Sequence, residues 1–308
     1  MFKKLVLLFC MLFALIAVSG CGLQTQSSSD NNAAEKSADK LQVAVSFNAL
    51  EEFVKAVGKD KVEVHTIIPA GTEPHDFEPT AKDLTSLKNA KVFIYNGLGM
   101  EPWAEKSISA ADNKDLISLE ATKGIEPITN DDPEEVKEHG QYDPHAWLSL
   151  KNAQVEVKNI ADALAQADPN NADFYKANSE AYIKQLDDLY NEYAQKIESE
   201  PNKNIVTGHA AFAYLCRDFG LKQNSVEDTF AEGEPSAQQL AQLVQFSKEN
   251  NVKTIFAEEM ASPSVSQTLA NEVGAKVETI YTIEGNEDNL SYIERMKSNL
   301  DKIYESLK

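Results

Sequence analysis

Cysteine is scarce in this chain. Only Cys10, Cys21 and Cys216 occur in 308 residues. Cys10 lies inside an apolar N-terminal leader and Cys21 stands at its end, so Cys216 is left alone and no disulfide can close within the folded body. A body of this length can build its core without one. Cys216, in Ala213-Tyr214-Leu215-Cys216, reads as a small buried hydrophobe. No Cys-x-x-Cys or His-x-x-x-His pair is present, which excludes the short-spaced metal motifs. Basic residues are also few, 29 against 49 acidic, for a formal charge of -20. Removing the first 20 residues takes away Lys3 and Lys4 and no acid, leaving 27 against 49, or -22. That surface disfavours nucleic acid, whose binding rests on phosphate neutralisation. It suits a soluble body that attracts cations. The apolar run Leu5 to Val18 falls short of the roughly 20 residues a spanning helix needs.

What is present begins with a targeting signal. Lys3 and Lys4 precede the apolar run, and small Ser19 and Gly20 precede Cys21. Val18-Ser19-Gly20-Cys21 resembles the bacterial lipoprotein processing box, which implies removal of residues 1–20 and lipidation of Cys21. The alternative is an ordinary secretory signal with Cys21 incidental. Residues 21–40 are rich in Ser, Asn, Gln, Asp and Ala and read as a flexible tether.

From Leu41 onward the pattern alternates between strand and helix. Strands are predicted over 41–45, 62–68, 91–95 and 116–119, with helices over 48–57 and 81–89 and another opening at Glu101. Thr80 and Asp83 read as a cap pair for the second helix. Residues 122–142 read as an irregular acidic loop. A helix over 152–165 is followed by a long one over about 171–199, on the order of 40 Å. Strands at 204–207, 252–257 and 276–283 then alternate with helices at 210–219, 236–250, 263–273 and 289–307. The expected fold class is α/β, two lobes each with a short, mainly parallel sheet, joined by one long backbone helix. The lobes are placed at 41–168 and 201–308, with the link at 169–200.

Histidine is the residue whose rarity makes it readable. Of five, His65 shares the polar phase of its strand and is read as facing solvent or a neighbour. His75 follows a strand in a loop shaped by Gly71, Pro74 and Pro79. His145 follows Asp143-Pro144, and Trp147 and Leu148 seat its turn on a core, holding it firmly near a surface. His209 follows a strand at Gly208. Binding sites in open α/β sheets form beyond the carboxyl ends of strands. Two lobes packed edge to edge would bring His75 and His145 against His209 and Glu284. Three imidazoles and a carboxylate make a tetrahedral zinc set. From spacing alone Glu78, Asp143, Glu258 and Glu259 are rivals of Glu284 for the fourth position. His139, within the acidic loop, is a candidate for accessory metal capture.

Three segments carry a family resemblance: Pro74-His75-Asp76-Phe77-Glu78-Pro79, Asp143-Pro144-His145-Ala146-Trp147-Leu148 and Thr207-Gly208-His209-Ala210-Ala211-Phe212. With Glu232-Gly233-Glu234-Pro235-Ser236 and Glu258, they resemble the cluster A-1 solute-binding proteins of metal-importing ABC transporters, in the zinc-binding lipoprotein branch. The resemblance runs from about Leu41 to the C-terminus. It implies two lobes, a linking helix and metal in the cleft. His75, His145 and His209 would be ligands, and Glu284 falls where the family supplies a carboxylate. The manganese branch has an acidic residue where this chain has His209, and imidazole there favours zinc. The loop before His145 is often long and histidine-rich in zinc members; here it is short and acidic, with His139 alone.

The resemblance implies an extracytoplasmic, lipid-anchored zinc receptor, with Zn2+ as transported ligand. Its partners would be an ABC permease and a separate ATPase, and a monomer is expected, since one chain completes the cleft. Other readings are a manganese receptor of the same type, a zinc hydrolase with water at the fourth position, and a surface adhesin. The hydrolase reading lacks a His-Glu-x-x-His or activated-serine motif, and no enzymatic activity is expected.

Overall fold

The computed structural model describes residues 40–75, 77–130, 136–137, 140–231, 235–258, 263–286 and 288–308. In the first lobe, β1 (Leu41–Val45), β2 (Val62–Thr66), β3 (Val92–Tyr95) and β4 (Ile117–Glu120) form one sheet in the order β2-β1-β3-β4. Every pairing is parallel. Val43 registers with Val64 on one side and Val92 on the other. The central strands are apolar and buried from Val43 to Val45 and from Val92 to Ile94, as a parallel sheet covered on both faces requires. The crossovers carry α1 (Asn48–Gly58), α2 (Thr85–Asn89) and α3 (Ala104–Ala111). α1 buries Leu50, Phe53, Val54 and Val57 along one face.

The second lobe repeats this order. β5 (Asn204–Thr207), β6 (Lys222–Ser225), β7 (Thr254–Glu258) and β8 (Lys276–Ile280) run β6-β5-β7-β8, again all parallel. Two helices, α4 (Leu150–Ala167) and α5 (Ala172–Glu198), stand between the sheets. α6 (Ala213–Phe219), α7 (Ala237–Glu249), α8 (Ser264–Val273) and α9 (Tyr292–Leu307) complete the second lobe. α7 and α9 each open on a full capping box, Ser236 with Gln239 and Ser291 with Glu294.

α5 is the long link, 27 residues after a short turn at Pro169–Asn171. Asp168 fixes its start, accepting from Asn171 Nδ2 at 2.6 Å and the Tyr175 hydroxyl at 2.8 Å. Tyr175, Ser179, Leu186, Leu189, Tyr193 and Ile197 form its buried stripe. The main hydrophobic core is continuous through this region, from Val43 and Trp147 past Tyr193 to Phe256, Tyr292 and Leu300. A smaller core of Val206, Val226, Leu243, Val252, Ile255, Leu269 and Ala270 lies wholly in the second lobe.

Several sequence expectations are corrected. β6 was not predicted, because Lys-Gln-Asn-Ser has no apolar alternation and the strand is held at the sheet edge by backbone pairing with β5. The helix predicted over 81–89 begins only at Thr85. Thr80 and Asp83 do pair, with the Thr80 N–H and hydroxyl each donating to Asp83 Oδ2 at 2.7 Å, but they close a turn. The loop over 122–142 has an ordered base: Thr129 bridges Tyr142, and the Asn130 N–H donates to Gln141 O at 2.8 Å. Its acidic residues 131, 132, 134, 135 and 138 and His139 lie outside the described residues, as do residues 1–39 with Cys21. Among the described residues no helix is long and apolar enough to cross a membrane.

Candidate metal centre

His145 is the centre's fixed point. Pro144 restricts the residue before it to extended backbone, and Asp143 folds back on the turn. Asp143 Oδ1 accepts the His145 N–H at 2.9 Å and lies 2.8 Å from His145 Nδ1. The ring is thus oriented through Nδ1, and Nε2 faces the cleft. A carboxylate on the far nitrogen fixes the tautomer and raises ligand basicity. The turn is tied to both lobes. Asn96 Nδ2 donates to Pro144 O at 2.8 Å. Trp147 Nε1–H donates to Thr282 O at 2.7 Å, and the Tyr292 hydroxyl donates to Trp147 O at 2.5 Å. His145 is fully buried, so the expectation of a near-surface position is corrected. The two bonds to Trp147 that seat this turn come from residues more than a hundred positions away.

His209 sits just beyond β5. A Cβ on residue 208 would collide with the Glu258 carboxylate, which explains the glycine before it. That carboxylate accepts the His209 N–H at 3.1 Å. The His209 carbonyl accepts from Thr207 Oγ1 at 2.6 Å and Gln223 Nε2 at 3.1 Å. Burial, with His145 alongside, holds the His209 imidazole well below its ordinary pKa, so it is neutral and its lone pair is available. His75 arrives from the loop between β2 and α2 and is half-buried. Its ring packs at 81° against that of Phe230, centroids 5.3 Å apart.

The three rings converge. His75 Nε2 lies 3.2 Å and His209 Nε2 3.3 Å from His145 Nε2. A ligand atom from each of the three lies within 4.8 Å of the others. Two nitrogens bound tetrahedrally to one zinc at about 2.0–2.1 Å stand about 3.3 Å apart. The two spacings to His145 Nε2 match that geometry.

Glu284 is buried, with Oε1 3.7 Å from His145 Nε2 and Oε2 accepting from Thr282 Oγ1 at 3.0 Å. The preceding residue, Ile283, has φ of 63°. For a β-branched residue this left-handed backbone costs about 1–2 kcal/mol. It is held from the other lobe, where Asn48 Nδ2 donates to Ile283 O at 3.4 Å and the Asn48 N–H to Glu284 O at 3.3 Å. Strain of this kind, supported from outside, marks a functional position. Of the rivals, Glu78 is exposed, Asp143 serves Nδ1, and Glu258 serves the His209 backbone. Glu259 lies outside the described residues, and exposed His65 is outside the cluster. Sequence reading missed Phe230, Thr282 and Tyr214. Each acts through a ring or hydroxyl whose partner is set only by the fold.

Comparison with known proteins points to a zinc-uptake family. The family described as zinc-uptake complex component A, periplasmic, matches residues 43–306. A protein of Treponema pallidum (strain Nichols) is 48% identical over 274 residues, 86% of this chain and 87% of that one. The high-affinity zinc uptake system protein ZnuA of Bacillus subtilis (strain 168) is 39% identical over 320 residues, covering 100% and 99%. Among solved structures, the laminin-binding protein Lmb of Streptococcus agalactiae, described as bifunctional with adhesin and metal-transporting activity, superposes with a TM-score of 0.79. It is 34% identical, over 87% of this chain and all of that one. The chain belongs to the ZnuA family, the cluster A-1 zinc-binding solute receptors of ABC transporters.

Proposed function

We propose that His75, His145 and His209 hold one zinc ion as cargo, with Glu284 as the fourth ligand. The observation that carries this is the convergence of three Nε2 atoms at 3.2 and 3.3 Å. The chain is a zinc-binding receptor of an ABC importer, a carrier and not an enzyme. Capture needs no covalent step. Three neutral imidazoles and a carboxylate replace the ion's water, and acid weakens the complex because each imidazole must be free of a proton. Glu284 in the fourth position leaves no open site for a bound hydroxide, which sets this centre apart from a zinc hydrolase.

Zinc is preferred to manganese because imidazole replaces a hard carboxylate at His209. The receptor is extracytoplasmic and membrane-anchored, as its lipoprotein relatives are. Residues 1–20 act as its lipoprotein signal, Cys21 carries the lipid, and residues 22–40 are the tether, a reading supported by the processing box. The loaded chain, a monomer, passes its ion to a membrane permease driven by a separate ATPase. His139, in the acidic loop, serves accessory capture before the ion reaches the cleft.

The test is a zinc-against-manganese competition on the metal-stripped full chain at neutral pH. One tightly held zinc that excess manganese does not displace is expected. Preference for manganese would overturn the argument from His209. Failure to bind either ion would overturn the shared site.

A further inference from the structure

α6 of the second lobe presents Tyr214, fully buried, to the first lobe. Its hydroxyl donates to the Asp143 carbonyl at 2.7 Å and accepts the Ile128 N–H at 3.1 Å. Those two residues are already paired, since the Asp143 N–H donates to Ile128 O at 3.0 Å. One phenol thus completes a closed ring of three hydrogen bonds on the backbone of Asp143. Both capacities of the oxygen are used, one donor and one acceptor. One turn further along α6, Arg217 Nη1 donates to Glu126 O at 3.0 Å, and its guanidinium stands 5.0 Å from the Tyr214 ring. The ring is therefore packed on its own account, and only the oxygen reaches the metal side.

Asp143 is the residue whose carboxylate holds His145 Nδ1 at 2.8 Å. The line from Tyr214 to Asp143 to His145 ends at the imidazole that both other histidines face. It starts on the lobe that supplies His209. We propose that Tyr214 is a positioning residue for the cargo, its hydroxyl fixing Asp143 and through it the His145 imidazole, so that it slows zinc release. This rests on the zinc-receptor reading. Asn96 holds the neighbouring Pro144 carbonyl from the first lobe. The ligand turn is therefore gripped by a carbonyl from each side, and loosening one grip lets the ring turn away from the ion without unfolding the turn.

The test compares zinc release from wild type and Tyr214→Phe, using full-length chain loaded with zinc and an excess of chelator in stopped flow. Removing the oxygen alone takes the partner from the buried Asp143 carbonyl and from the half-buried Ile128 N–H. Release about tenfold faster is expected, the size of one lost buried hydrogen bond. Cobalt(II) loaded in place of zinc should show shifted visible bands in the variant, a change that a stability defect elsewhere would not produce. In an Asp143→Asn background the same substitution should change release less than about twofold, because the relay is already cut. Release at the wild-type rate, or equal acceleration with and without Asp143, overturns the proposal. A measurement on the wild type stands beside the variants: zinc should slow amide exchange at Ile128 and Asp143 together. Slowing at Asp143 with none at Ile128 also overturns it. A wild type that holds no zinc overturns the receptor reading with it. A wild type that holds zinc beside an unaltered Tyr214→Phe overturns this inference alone.

Discussion

His145 and His75 bring their nitrogens within 3.2 Å of each other by opposite means. His145 stands on a fully buried turn whose backbone and ring are bonded to Asp143 and whose neighbours are bonded across the cleft. His75 stands on the loop between β2 and α2, whose described residues belong to no helix or strand. It is half-buried, and its backbone N–H donates to Glu73 Oε1 at 3.3 Å, a side chain of the same loop. One imidazole is placed by the whole fold; the other rides on its loop and leans on the Phe230 ring. The fixed ring sets the geometry of the centre, and the loop ring comes to it. The metal then orders the His75 loop, whereas the His145 turn is already formed before it arrives.

The largest expected effect comes from deleting each ring. His145→Ala and His75→Ala should each weaken zinc binding by about 1,000-fold or more, since each removes a ligand outright. They should differ in the metal-free protein. His145→Ala leaves the buried Asp143 carboxylate with the backbone N–H of residue 145 but without its imidazole partner, and should lower the melting temperature by several degrees, in line with about 1–3 kcal/mol. His75→Ala should leave it nearly unchanged. Equal losses in calorimetry would break the contrast.

Next in size is Asp143→Asn, which keeps the ligand but weakens its orientation. About 10- to 100-fold weaker zinc binding is expected, read by chelator competition. The reverse contrast appears in hydrogen exchange. Zinc should slow amides over residues 72–80 far more than those over 145–149, which are protected already. Comparable slowing in both would show the His145 turn to be formed by the metal.

The smallest effect concerns the floor beneath the His145 turn. Glu156 on α4 is fully buried, and neither carboxyl oxygen has a hydrogen-bond partner among the described residues. Burial, with Glu101 nearby, pushes it up to about 8. The folded state therefore keeps a proton that the unfolded state has lost above its ordinary value of 4.5. Stability from this group is full below that value and falls as pH rises towards 8. Glu156→Gln cannot ionise. It should melt higher than wild type at pH 8, with the gap closing towards pH 5, as thermal scans across that range would show.

Much of this was legible in the sequence. β1 and β3 announce themselves as short β-branched runs, and the stripe of α5 keeps its helical phase for 27 residues. The three histidines stand out through rarity, His75 and His209 also through their place after strands and His145 through the turn that leads into a helix. What was not legible depends on distant cover. His145 is expected near a surface, yet its turn is covered from afar: Thr282 and Tyr292 bond to Trp147 across 135 and 145 residues. Asp143 counted as a rival ligand because spacing cannot say which ring nitrogen a carboxylate will meet. Glu78 sits beside His75 in the chain and faces solvent, since a loop without regular period gives no rule for side-chain direction.

Among the described residues there is no disulfide, and the zinc centre supplies a cross-link in its place. Its histidines lie 70 and 64 residues apart, so one ion joined to all three closes two long loops at once. Unlike a sulfur bridge, this staple is set and withdrawn with each cycle of transport. The loaded receptor should be the protease-resistant form, protected in proportion to how far free zinc exceeds its dissociation constant. Delivery of the ion then returns a looser chain to the surface, where zinc scarcity itself would shorten its life.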